Sequence, residues 1–269
     1  MNAPADKSLE TALPILLRED RDGVTTLTLN RPSQFNSLSE ELLTELQAAL
    51  DAIARDVSVR AVVIAGAGKA FCSGHDLKQM RANHSKGYMQ KLFKQCGKVM
   101  MTIVEMPQPV IARIHGIATA AGCQLVAMCD LAVAAEAAKF AVSGVNLGLF
   151  CSTPSVALGR AMGRKEAMEM LLTGEFIDAA EAQRRGLVNR VVPLEQLDAE
   201  VKKFTDSICA KSPVALAMGK QLFYKQLEMG LDGAYQLAAE TMACNMMAGD
   251  AAEGIDAFMQ KRKPEWKGC

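Results

Sequence analysis

The chain contains 269 residues, of which 50% are hydrophobic and 22% are charged. This composition provides enough apolar surface for a folded core, so it excludes a disordered chain. Thirty basic residues balance thirty acidic ones, and the resulting net charge of zero argues against a general nucleic-acid binder or a polybasic membrane binder.

The eight cysteines show no spacing that is typical of a zinc site. We therefore predict reduced thiols and no metal centre. The start of the chain has no basic segment followed by an apolar one, which disfavours a targeting sequence. No apolar run reaches the roughly 18 residues that a membrane span needs. On these grounds we expect a cytoplasmic protein without a membrane partner.

The first predicted elements follow a tail over residues 1–13. Two strands are predicted over 15–18 and 24–29, around a turn at 20–23, because the second segment is rich in β-branched residues. Ser39 then predicts the start of a helix, since serine commonly caps helix N-termini. The apolar stripe of this helix consists of Leu42, Leu43, Leu46, Leu50 and Ile53.

Buried strands alternate with helices along the next part of the chain. The predicted strands cover residues 61–65, 110–114, 130–135 and 139–142. The predicted helices cover residues 88–105 and 123–129. This alternation favours an α/β fold.

The pattern becomes almost purely helical from about residue 195. We therefore predict a core over residues 1–195 and a helical region over residues 196–269. Because these helices carry apolar residues on several faces, we expect them to pack on the core or on a neighbouring subunit.

Two predicted strand-to-helix junctions, residues 66–78 and 115–123, are rich in glycine and alanine. Small residues let a ligand approach the backbone closely, and free N–H groups at a helix start attract negative charge. The two junctions could therefore direct two backbone donors at one oxygen. Tight packing between helix and strand explains the same residues without a ligand.

The residues of these junctions resemble the signatures of the crotonase superfamily, the enoyl-CoA hydratase/isomerase family. The similar segments are Ala70 to Lys78, His115-Gly116, Gly122 to Leu125, and Cys129-Asp130. The resemblance extends over about residues 15–265. It implies an α/β fold, the crotonase-type spiral of ββα units, followed by a C-terminal helical oligomerisation region that forms a homotrimer or a dimer of trimers.

The same resemblance implies an acyl-CoA thioester substrate and a role in fatty-acid or acyl-CoA metabolism. Family members stabilise an enolate with two backbone N–H groups, which correspond here to His75 and Ala121. Ala121 replaces the usual glycine, so its φ must be negative. Coenzyme A arrives as part of the substrate, and no separate cofactor is expected. The implied substrate-binding positions are Ser73, Gly74, Lys78, Gly122, Asn146, Cys151 and Ser152.

The sequence departs from the family at the two glutamates that activate water in the hydratases. Their positions correspond to Gln124 and Gly144, and neither residue can act as a general base. We therefore expect weak or absent hydratase activity. If this alignment is right, glutamates installed at both positions should raise the rate of hydration.

Two alternatives remain open at this point. Decarboxylation of a malonyl-type acyl-CoA needs an enolate-stabilising site but no strong base, and His75 also occurs in the decarboxylase branch of the family. A non-catalytic acyl-CoA-binding protein would keep the same N–H groups and lose both glutamates. Unchanged acyl-CoA after long incubation would favour the second alternative.

Overall fold

The computed structural model describes residues 14–269, and the tail predicted over residues 1–13 lies outside them. The strands are β1 (Leu16–Arg21), β2 (Val24–Leu29), β3 (Ala61–Gly66), β4 (Ala70–Cys72), β5 (Val110–Ile114), β6 (Ile117–Thr119), β7 (Leu131–Ala135), β8 (Lys139–Ala141), β9 (Ile177–Asp178) and β10 (Arg190–Val192). The helices are α1 (Glu40–Ile53), α2 (Leu77–Ala82), α3 (Lys86–Glu105), α4 (Ala121–Met128), α5 (Ser152–Ala161), α6 (Arg164–Thr173), α7 (Ala179–Arg184), α8 (Leu197–Cys209), α9 (Pro213–Gln226), α10 (Leu231–Met246) and α11 (Gly249–Met259).

Strands β1 and β2 form an antiparallel hairpin. Its turn consists of Asp22 and Gly23, whose φ angles of 51° and 77° are both positive. Such two-residue turns match the right-handed twist of the strands. The turn is shorter than the one predicted over residues 20–23, because β1 continues through Asp20 and Arg21 in register with β2.

Helix α1 confirms the prediction from its cap and its apolar stripe. The Ser39 hydroxyl accepts a hydrogen bond of 3.2 Å from the Leu42 N–H. This bond satisfies one of the donors that a helix start leaves free. All five leucine and isoleucine residues of the predicted stripe are fully buried, so the helix covers the core.

The strands form two sheets. Six strands pair in the order β1-β2-β3-β5-β7-β10, and every pair after the hairpin is parallel. The short strands pair separately in the order β4-β6-β8-β9. Strands β3, β5 and β7 thus belong to the larger sheet. Each is followed along the chain by a short strand of the smaller sheet and then by a helical segment. This repeat confirms the α/β class and the ββα spiral.

The predicted boundary at residues 195 and 196 falls directly before α8. Residue 195 lies in a single 3₁₀ turn, Leu194–Gln196, directly before α8. Leu197 and Val201 of α8 are buried against Val63, Ile111 and Val133 of the larger sheet. The first helix after the boundary therefore completes the core, and the division at residues 195 and 196 stays a prediction.

Lys220 of α9 anchors the helical region to the core. Its ammonium group lies 2.7 Å from the Asp130 carboxylate and donates to the carbonyls of Ile103 and Gln108, both at 2.8 Å. Asp130 also accepts from the Tyr224 hydroxyl at 2.9 Å. Only 6% of the lysine side chain and 15% of the aspartate side chain are exposed. All three donors of the ammonium group are thus used.

The substitution Lys220→Met is expected to destabilise the protein by roughly 3–5 kcal/mol, because it leaves the Asp130 carboxylate buried without its positively charged partner. Chemical denaturation of both proteins measures this difference. The control is Arg160→Met, which removes an exposed ion pair of 2.9 Å with Glu228 and should cost less than about 1 kcal/mol. Equal costs for the two variants would contradict the anchoring role.

Candidate active site

The carboxyl ends of β4, β6 and β8 lie together at one edge of the smaller sheet, because these three strands are parallel neighbours. The chain segments that leave them also bind each other. The Thr119 hydroxyl donates to the Ser73 carbonyl at 3.0 Å. The Ala120 N–H donates to the Ala141 carbonyl at 2.9 Å. The two predicted junctions are therefore adjacent, and the segment that contains Gly144 lies beside them.

Two glycines make this close approach possible. A Cβ atom on Gly122 would lie 2.1 Å from the Cys72 carbonyl oxygen, so no side chain fits there. A Cβ atom on Gly74, whose φ is +92°, would lie 3.2 Å from the backbone nitrogen of Ala121. The residue after Gly74 is His75. The structure thus brings the His75 segment and the Ala121 amide to the same place.

The backbone at the start of α4 meets the condition set for Ala121. Ala121 is the first residue of the helix and has no positive φ. The unusual conformation falls instead on Ala120, with φ 49° and ψ −118°. This region is normally occupied by glycine, and strain of this kind concentrates at functional sites.

In the part of the chain that the structure describes, the N–H groups of His75 and Ala121 are both free of acceptors. Leu38 pairs with the His75 segment by donating to the Gly74 carbonyl and accepting from the Asp76 N–H, which leaves the His75 N–H unused. The first N–H of a helix has no partner within the helix. Within residues 14–269, neither amide donates a hydrogen bond. Two adjacent free donors are the arrangement that can bind one negatively charged oxygen.

The His75 side chain lies beside these amides in an apolar setting. Its ring contacts the Phe93 ring edge to face, with 5.4 Å between the ring centroids. Both ring nitrogens are buried and have no hydrogen-bond partner among the described residues. Burial lowers the pKa of His75 below its ordinary value. The nearby Leu38 backbone raises this pKa, but by less than burial lowers it. The ring is therefore neutral near pH 7 and can donate one hydrogen bond to a ligand.

Gln124 is directed into buried surroundings. It is 5% exposed, and its Oε1 atom has no hydrogen-bond partner in the described part of the chain. An amide group that lacks a partner in the protein can bind a polar group of a ligand. Gln124 follows Ala121 by one helical turn, so its side chain and the free amide belong to the same end of α4.

The surroundings of Gly144 leave little space for a side chain. A Cβ atom there would lie 2.6 Å from the Leu149 carbonyl oxygen and 2.7 Å from the Cys151 sulfur. A glutamate there would require the Leu149 backbone and the Cys151 thiol to shift, and the expectation that it raises hydration stays a prediction. Burial raises the pKa of the Cys151 thiol, which is neutral rather than nucleophilic.

The remaining predicted residues take different places. Ser73 is half-buried at the junction, whereas Lys78 is exposed on α2. Ser152 is exposed at the start of α5, and its hydroxyl donates to the Phe150 carbonyl at 3.3 Å. The side chain of Asn146 lies 3.5 Å from the Gly174 carbonyl. The structure thus unites Ser73, Gly74, His75, Ala121 and Gly122, while the contact of Asn146 is with Gly174.

Two contacts at the site were not predicted. Phe93 contacts His75 from α3, and the Leu149 carbonyl blocks position 144. Neither residue belongs to a recognisable sequence motif. Both contacts depend on how separate elements pack, which the local pattern does not reveal.

A cavity of about 1180 Å³ lies at the other end of α4. Its lining includes Met128, Asp130, Tyr224 and Leu237. Neither His75 nor Ala121 lines this cavity. Within residues 14–269, no group of three side chains could hold a metal ion, and no helix is both long and apolar enough to cross a membrane.

Comparisons with known proteins agree with this geometry. The profile of the family described as enoyl-CoA hydratase/isomerase matches residues 19–269. A solved enoyl-CoA hydratase from Mycobacterium smegmatis is 60% identical, with a TM-score of 0.92, covering 94% of this chain and 99% of its own. The structure of human enoyl-CoA hydratase domain-containing protein 3 is 45% identical, with a TM-score of 0.91, covering 94% and 100%.

The chain belongs to the enoyl-CoA hydratase/isomerase family and has the crotonase fold, as the resemblance implied. Family members act on acyl-CoA thioesters and typically form oligomers. A curated relative, enoyl-CoA hydratase domain-containing protein 3 from Xenopus laevis, is 46% identical over 253 residues, covering 94% of this chain and 86% of its own.

The prediction of a cytoplasmic protein is wrong by these comparisons. The relatives from Xenopus laevis, Mus musculus and Homo sapiens are all named as mitochondrial proteins. The prediction rested on the composition of the N-terminal segment.

The neutral state of His75 predicts a dependence of stability on pH. In the unfolded chain this histidine has its ordinary pKa of about 6.5. In the folded protein its pKa is lower, because the ring is buried. The unfolded state therefore binds more protons, and stability falls as the pH drops below about 6.5. His75→Gln should show a shallower fall in unfolding free energy between about pH 7 and pH 5.

Urea denaturation across this pH range provides the measurement. His84→Gln, which changes an exposed histidine, is the control and should follow the wild type. An equal slope for the wild type and His75→Gln would show that the site does not hold the ring neutral.

The crowding around Gly144 predicts a cost for the smallest side chain. Gly144→Ala should destabilise the protein by roughly 1–3 kcal/mol, because the added methyl group meets a carbonyl oxygen and a buried sulfur. The control is Gly159→Ala in α5, where a Cβ atom meets nothing within 4 Å. This substitution should stabilise the helix by about 0.5–1 kcal/mol. Thermal denaturation compares the two, and a neutral Gly144→Ala variant would refute the steric account.

Proposed function

We propose that the protein is an enzyme of acyl-CoA metabolism that binds the thioester oxygen with the amides of His75 and Ala121 and stabilises an enolate there. Hydration of 2-enoyl-CoA is weak or absent. The observation that carries this proposal is the adjacency of two backbone N–H groups that have no acceptor in the described protein.

These two donors suit a charge that develops during the reaction. An enolate places negative charge on the thioester oxygen, and preorganised amides stabilise that charge without reorganising. Removal of one such donor from comparable enzymes costs about 3–4 kcal/mol of transition-state stabilisation. Because the donors are main-chain groups, their chemistry is independent of the side chains at positions 75 and 121.

The lack of a base limits what this enolate site can do. Gln124 replaces the first carboxylate, and the space at position 144 is filled by the Leu149 carbonyl and the Cys151 thiol. Each missing general acid or base typically contributes about 10²–10⁴-fold to a rate. Efficient addition of water across a double bond is therefore not expected from this site.

A second candidate reaction is the decarboxylation of a malonyl-type acyl-CoA. In that reaction the bond between the α-carbon and the carboxylate breaks, and its electron pair moves into the enolate as carbon dioxide leaves. A proton from water then completes the product. The observation that favours it is that His75, Gln124 and Cys151, three residues predicted at the site, are uncharged and do not repel a substrate carboxylate.

The test of hydration is the absorbance of the conjugated thioester of crotonyl-CoA, followed with excess protein. We expect little or no loss of this absorbance. Rapid loss would contradict the absence of a working water-activating group. Parallel incubation with malonyl-CoA and methylmalonyl-CoA, followed by product analysis, distinguishes a decarboxylase from a protein that only binds acyl-CoA.

The role of the backbone donors is tested by Ala121→Pro. Proline is well tolerated at the first position of a helix, so this change removes one N–H and largely preserves α4. We expect a loss of about 10²–10³-fold in the turnover of any substrate found. The control is Ala120→Gly, which relieves a positive φ and keeps both amides. Full activity in a folded Ala121→Pro variant would refute the proposed pair of donors.

A further inference from the structure

The segment that contains the His75 amide is held by a loop from a distant part of the sequence. The Ser73 N–H donates to the Phe35 carbonyl at 3.0 Å, and the Leu38 N–H donates to the Gly74 carbonyl at 2.7 Å. The Asp76 N–H donates to the Leu38 carbonyl at 3.3 Å. In this parallel pairing, the residue opposite Leu38 directs its own N–H away from the loop.

The loop itself has an unfavourable backbone that requires support. Phe35 and Asn36 both have positive φ angles, 51° and 55°. Asn36 is fully buried, and its amide group donates to the carbonyls of Ala67 and Ala70 at 2.8 and 2.7 Å. Its Oδ1 atom accepts from the Arg31 N–H at 2.9 Å. Asparagine tolerates this conformation, and its contacts secure one side of the loop.

The other side of the loop is secured by an ion pair. The Arg31 guanidinium lies 2.9 Å from the Asp76 carboxylate and donates to the Ser37 carbonyl at 2.6 Å. The side chains of Arg31 and Asp76 are only 17% and 14% exposed. The second carboxylate oxygen of Asp76 accepts from the N–H groups of Lys78 and Gln79. One arginine thus joins residue 37 of the loop to the residue that follows His75.

We propose that Arg31 and Asp76 are positioning residues for the enolate site. Their ion pair holds residues 35–38 against residues 73–76, and this contact sets the direction in which the His75 N–H points. Neither side chain needs to touch the substrate. The inference rests on the proposed function, because it assigns these residues to the alignment of one of the two proposed donors.

The test uses a bound chromophore. Cinnamoyl-CoA has a conjugated thioester, and donors at its carbonyl oxygen shift its absorbance to longer wavelength. Excess wild-type protein should produce this red shift. In Asp76→Asn, the Asn amide can still cap α2 through its oxygen, but its NH₂ group then faces the Arg31 guanidinium. In Arg31→Gln, the link between Ser37 and Asp76 is lost.

We expect both variants to bind cinnamoyl-CoA within about tenfold of the wild-type affinity, because they lose alignment rather than substrate contacts. Their red shift should be clearly smaller. Arg31→Lys should recover part of it, since lysine restores the charge but not the fork that reaches two acceptors. The control is Arg185→Gln, which removes another buried arginine, paired at 2.6 Å with Glu181, and should keep the full red shift.

The outcomes separate the two claims. Wild-type protein that binds cinnamoyl-CoA without a red shift contradicts the proposed function itself. A wild-type red shift that persists undiminished in Asp76→Asn, with a circular dichroism spectrum like that of the wild type, overturns the positioning role alone. If Arg31→Gln does not fold, Asp76→Asn and Arg31→Lys carry the test, because both preserve the size of the side chain and the helix cap.

Discussion

The close contact between the start of α4 and the carbonyl of Cys72 is the constraint on which the site depends. A single added carbon at Gly122 would lie 2.1 Å from that oxygen, so the backbones of two ββα units touch directly. This contact places the Ala121 amide beside the segment of Gly74 and His75. The parallel order of β4, β6 and β8 repeats the arrangement and brings the segment of Gly144 to the same edge. The chemistry therefore begins in backbone geometry, and the side chains decide which reaction it serves.

Burial and crowding then give the site an uncharged character. His75 is neutral because its ring is enclosed, and the thiol of Cys151 is protonated for the same reason. Position 144, which the sequence comparison with the hydratases predicts as the place of a glutamate, has little space for a side chain, since the Leu149 carbonyl lies in its path. A site of this kind can stabilise an enolate that forms by loss of a group. It is poorly suited to activating water.

The parts of this account that the sequence could predict are those with a local signal. Ser39 and the leucine stripe of α1 define a helix within a few turns, and the small residues at 116–122 indicate a close backbone approach. The shorter hairpin turn, the strain on Ala120 rather than Ala121, and the closed space at Gly144 depend on contacts between distant segments. The ion pair of Arg31 with Asp76 spans 45 positions, and no periodicity reveals it. Localisation was misjudged because it rested on the composition of the N-terminal segment.

The most direct measurement is a crystal structure with a bound saturated acyl-CoA, such as butyryl-CoA, whose thioester oxygen reports the location of the donors. The account predicts that this oxygen lies about 3 Å from the backbone nitrogens of both His75 and Ala121. It also predicts that the acyl chain passes Gln124 and Cys151. A thioester bound instead in the cavity at the other end of α4, or an oxygen that contacts neither amide, would contradict it.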